Sequence, residues 1–152
     1  MKTKNIKLII VAVVLVLITA GLYLFDSSEK LVRRTNDFEL TEDMEIVKVK
    51  KHGIPSFRAA YEAKIKVDHS DPWKTVDLLV EAYPGLQCDI LSYENYQATA
   101  DDLFDGYSLI PTPEYNSNVW IGVYSDVDEH EYVFFIDSES QTDAYLYIYY
   151  SR

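Results

Sequence analysis

The apolar positions of this chain fall into two regimes. From Leu8 to Phe25 the sequence LIIVAVVLVLITAGLYLF carries no charge. As a helix rising 1.5 Å per residue, this run reaches about 27 Å, close to the roughly 30 Å of a bilayer's hydrocarbon core. Lys2, Lys4 and Lys7 precede it. A cleaved signal peptide is the rival reading. The small residues Thr19, Ala20 and Gly21 resemble a cleavage site, but Leu22 to Phe25 continue the apolar run past them. The pattern therefore predicts a short cytoplasmic tail over 1–7, a retained transmembrane anchor over 8–25 and a polar stalk over 26–37. A single extracytoplasmic domain follows over 38–152. The basic tail orients the anchor, because such tails stay in the cytoplasm.

Beyond the anchor the periodicity shortens. Phe57, Ala59, Tyr61, Ala63, Ile65 and Val67 share one side of an extended segment; Arg58, Glu62, Lys64, Lys66 and Asp68 share the other. That alternation predicts a strand with one buried face. MEIVKVK upstream reads as its partner, with KHGIPS as the turn of an antiparallel hairpin. Asp71 then suits a helix cap and Pro72 the first helical position, with Trp73, Val76, Leu79, Val80 and Tyr83 along one side. Pro84-Gly85 ends that helix. LQCDILSY reads as a further strand. The span 94–118 reads as irregular, with one helical turn in TADDLFDG capped by Thr99. VWIGVYS, EYVFFID and AYLYIYY complete the chain as a three-stranded meander. The fold class is α+β: an N-terminal transmembrane helix, then one domain with an antiparallel sheet of five or six strands packed on one main helix.

The last strand raises a question of function. Ala144, Leu146, Ile148 and Tyr150 suit the core. Tyr145, Tyr147 and Tyr149 suit a wetter second face, beside Tyr132 and Phe134 or Trp120 and Tyr124. Such a stripe is either ordinary cross-strand packing or an aromatic recognition surface.

Charge sharpens the picture. The net charge is −11, unevenly spread: Asp26 to Lys74 holds ten bases and ten acids, whereas Thr75 to Ser151 holds fifteen acids and neither Lys nor Arg. Such a surface repels phosphate backbones, which excludes nucleic acid as a partner. It suits a cationic partner or simple solvation.

The chain contains no GxSxG, HExxH, Walker loop or CxxC. His52, His69 and His130 are scattered. Cys88 is alone and reads as a small buried residue. DVDEHE supplies four carboxylates at Asp126, Asp128, Glu129 and Glu131. As an EF-hand loop counted from Asp126 it fails, because Glu131 stands where glycine is needed. No metal, cofactor or catalytic residue is assigned. The expected role is a non-catalytic interaction domain that binds another envelope protein. Its surface would comprise Tyr145, Tyr147, Tyr149, Asp126, Asp128 and Glu131. The alternative is a hydrolase or small-ligand-binding domain using acids of the 94–118 region, namely Asp101, Asp102 and Asp105.

Overall fold

A computed structural model of the chain describes residues 9–18, 28–52, 60–68, 70–113, 115, 117–126, 130–137 and 143–151. Residues 9–18 are helical (α1). Among the described residues no helix is long and apolar enough to cross a membrane. Residues 8 and 19–25 of the expected anchor lie outside the described set.

The remainder is α+β. Its elements are α2 (Ser28–Thr35), β1 (Glu45–His52), β2 (Ala60–Val67), α3 (Pro72–Ala82), β3 (Gln87–Ser92), α4 (Tyr93–Leu103), β4 (Asn118–Ser125), β5 (Glu131–Asp137) and β6 (Ala144–Ser151). The six strands form one antiparallel sheet in the order β1-β2-β6-β5-β4-β3. The β1–β2 hairpin and the β3–β6 meander are each local. They join where β6 pairs with β2 on one side and β5 on the other. The expected hairpin turn at 53–59 lies outside the described residues.

Both faces of the sheet are covered, which corrects the expectation of one helix and one wet face. On the first face Tyr61, Ala63, Ile65 and Val67 of β2 meet Leu146 and Ile148 of β6 and Phe134 and Ile136 of β5. Leu31 and Val32 of α2 and Val76 and Leu79 of α3 close over them. The polar segment expected to be a stalk thus contributes a helix to the core, with Val32 fully buried. The sequence hid this because only two apolar side chains of α2 face inward. On the second face Tyr96 of α4, Phe104 and Leu109 pack against Val119, Phe135, Tyr147 and Tyr149.

Two helices differ from expectation in detail. Asp71 does cap α3, its carboxylate accepting from the Lys74 amide (3.3 Å). Trp73 and Val80, however, are exposed, because the buried stripe runs through Pro72, Thr75, Val76 and Leu79. α4 replaces the expected irregular stretch and single turn. Ser92, not Thr99, is its cap, accepting from the Asn95 amide (3.4 Å). Thr99 lies inside the helix and donates back to the Asn95 carbonyl (2.9 Å).

Candidate functional site

The residues singled out in the sequence divide between core, turn and surface. Tyr147 and Tyr149 are buried at 4% and 2% exposure, so two of the three stripe phenols belong to the second core. The physical reason is that β6 is a central strand and that α4 and the segment 104–113 cover its second face. Register departs from expectation as well. Tyr147 lies opposite Phe135 and Tyr149 opposite Val133, whereas Tyr132 and Phe134 face Tyr150 and Ile148 on the first face. Tyr145 alone of the three is half-buried, with the Lys64 ammonium 3.8 Å from its ring centre.

The tyrosines instead hold loops and helix ends. Tyr132 donates to the Thr35 carbonyl (2.6 Å), and the Asp37 amide donates to Tyr83 (3.1 Å). Asn36 Nδ2 donates to Tyr61 (2.9 Å) and to the Val32 carbonyl (2.7 Å). Together these bonds satisfy the C-terminal end of α2, which water would otherwise reach. On the second face Tyr149 donates to the Leu109 carbonyl, and Tyr96 to that of Pro111. Burial pushes Tyr61 up to about 12, and it raises Tyr83, Tyr132 and Tyr149 above the ordinary range as well. These phenols are therefore neutral donors and acceptors in the folded domain.

Sequence periodicity placed Glu62 among solvated residues, yet it has no exposed surface. Its Oε2 accepts from the Ser108 amide (2.8 Å), the Ser108 hydroxyl (3.2 Å) and the Leu109 amide (2.6 Å). Its Oε1 pairs with His52 Nε2, with Lys50 Nζ at 3.9 Å. Burial alone would raise this carboxyl. The Leu109 and Ser108 amides and His52 outweigh it and hold the group below the usual glutamate range. With both oxygens engaged and none exposed, Glu62 is a clamp on the 104–113 segment rather than an open general base. No sequence signal marks this, since the Ser108 and Leu109 amides that bury it lie more than forty residues away.

The acidic candidates stay apart. Asp126 is consumed locally: its Oδ1 accepts from the His130 amide (2.9 Å) and its Oδ2 pairs with His130 Nδ1 (2.6 Å). Asp128 and Glu129 lie outside the described residues. Glu131 is exposed, with the Ser151 hydroxyl at 3.4 Å. Asp101, Asp102 and Asp105 are exposed on and just after α4. Among the described residues no group of three or more His, Cys, Asp or Glu is placed to hold a metal ion.

Cys88 is exposed on β3 and not buried as expected, because β3 is an outer strand. Its thiol is raised by desolvation, which opposes thiolate formation. Beside it lies a groove of about 480 Å³ between α4 and the β3–β4 end of the sheet. Leu91, Leu103, Ile121 and Val123 give it apolar walls, and Gln87, Asp89 and Thr99 give it polar ones. Concave apolar surface with a few polar groups is the usual form of a binding site. No family model, no curated protein and no solved structure matches this chain.

Proposed function

We propose that this chain is a membrane-anchored, extracytoplasmic, non-catalytic interaction domain that binds a cationic region of another envelope protein through its acidic surface. The uncharged run from Leu8 to Phe25 supports the anchor, and the basic tail before it supports the orientation. The observation that carries the binding role is the separation of charge across the sheet. Lys48, Lys50, Lys51, Lys64 and Lys66 lie on β1 and β2, at one end. At the other end β3, α4 and the turn after it carry Asp89, Glu94, Asp101, Asp102 and Asp105 with no base. Such an asymmetric field attracts and orients a cationic partner.

The test is site-specific photo-crosslinking in cells, with the full-length chain carrying the crosslinker at Gln97 or Ala98 on the exposed side of α4. A discrete adduct is expected, and it should be lost when Asp101, Asp102 and Asp105 are all changed to asparagine. No adduct, or one indifferent to that change, would remove the acidic surface from the account.

A further inference from the structure

We infer that the outer edge of β3, together with the groove beside it, takes up an extended cationic peptide as an added strand. This rests on the reading above and names the ligand class for the acidic end of the sheet.

The two edges of the sheet are built differently. β1 shows a register break between Ile46 and Lys48, and it carries Lys48, Lys50 and Lys51. Bulges and lysines are the devices that keep an edge strand from pairing with a passing chain. β3 has neither: Gln87 to Ser92 pair with Val123 to Asn118 in unbroken register and contain no lysine or proline. Among the described residues β3 pairs with β4 and with no other strand. Its Ile90 amide donates to the Asp89 carboxylate (2.7 Å), a local bond that fits an amide turned away from β4.

The side chains along this edge specify the peptide. A strand added to β3 presents alternate residues to the two faces. On one face it meets Ile90, which is 54% exposed and opposite Trp120, so small or β-branched apolar residues suit that side. On the other it meets Asp89 and the groove. Long basic side chains suit that side. Their aliphatic stems lie along the exposed parts of Leu103 and Val123 while their charges reach Asp89. The ligand is thus an extended segment alternating basic and apolar residues. Main-chain bonds supply affinity and the alternation supplies specificity. The β1 strand of a second copy has similar chemistry, but the break at Val47 interrupts the ladder it would have to form.

The experiment uses the full-length protein in zwitterionic detergent. The probes are a fluorescein-labelled peptide of alternating lysine and valine and a control of alternating glutamate and valine, read by fluorescence anisotropy. The lysine peptide should bind, more weakly as salt is raised, and the glutamate peptide should not. Ile90→Pro removes a main-chain donor whose local bond is to the Asp89 carboxylate, and Asp89→Lys reverses the facing charge; each should weaken binding at least about tenfold. Urea unfolding of both variants checks that the domain is intact, and Asp89→Lys decides if the proline variant unfolds. Equal binding by wild type and Asp89→Lys, or no binding by wild type, overturns the inference. So does concentration-dependent self-association that the peptide does not displace. If peptide binding fails while the crosslinked adduct from α4 persists, the β3 edge is wrong and the acidic interaction surface stands. If both fail, the functional reading falls with it.

Discussion

A carboxylate with no exposed surface persists at position 62 because four donors surround it: two amides, a hydroxyl and a histidine ring. Glu62→Ala would strip the partner from the buried Leu109 amide and from the part-buried Ser108 amide, and should cost roughly 2–3 kcal/mol, since an unsatisfied buried donor carries most of the loss. The same site gives a pH dependence. The folded-state pKa of Glu62 lies below its unfolded value. Its contribution is therefore fully present above the ordinary glutamate pKa and is lost as pH falls through the folded value. Urea midpoints measured from neutral to acidic pH should fall for wild type and fall less steeply for Glu62→Gln. Parallel curves would show that the carboxylate charge is not what holds the 104–113 segment. Gly122 is constrained by volume instead of charge. A Cβ there would lie 2.6 Å from the Trp120 ring and 3.2 Å from Leu86. Overpacking of this kind costs about 1–3 kcal/mol. Gly122→Ala should lower the urea midpoint accordingly and alter the environment of Trp120, visible in its fluorescence.

At the level of elements, legibility followed how local the cause was. The Asp71 cap, the proline at the first position of α3 and the period of two in β2 are local, and each appears in the structure. The second face of β6 is not local. Its burial depends on α4 and on Phe104 and Leu109 folding back over it. Nothing in AYLYIYY distinguishes a half-wet strand from a central one whose second face is aromatic. The consequence can be measured. Tyr147→Ser should destabilise the domain on the scale of Leu146→Ala, about 2–5 kcal/mol, because both remove large buried side chains. Tyr149→Phe should cost less, about 1–2 kcal/mol, as it leaves the Leu109 carbonyl without its donor. If Tyr147→Ser unfolds near wild type, the second core contributes less than its packing implies.

For the whole molecule the decisive contact is the one between β6 and β2, which unites a basic N-terminal hairpin with an acidic C-terminal meander. Strand order was not readable from periodicity, since either edge of the meander offers the same ladder of amides to the hairpin. Membership of α2 in the domain was equally hidden, because its sequence is mostly charged and only Leu31 and Val32 turn inward. Tying α2 down requires partners far along the chain: Tyr61, Tyr83 and Tyr132 bond Asn36, Asp37 and Thr35 respectively. Two truncated forms separate the possibilities. A chain starting at Ser28 keeps α2; one starting at Phe38 lacks it. Removing Leu31 and Val32 exposes apolar surface worth roughly 1.5–3 kcal/mol for each side chain, before the three tyrosine bonds are counted. Against a total of about 5–15 kcal/mol, that loss is large. Urea unfolding should therefore show a cooperative transition for the form starting at Ser28. For the form starting at Phe38 the midpoint should be far lower, or the baseline already unfolded. Matching midpoints would return α2 to the role of a stalk, and the three phenols beneath it would then hold a helix the domain does not need.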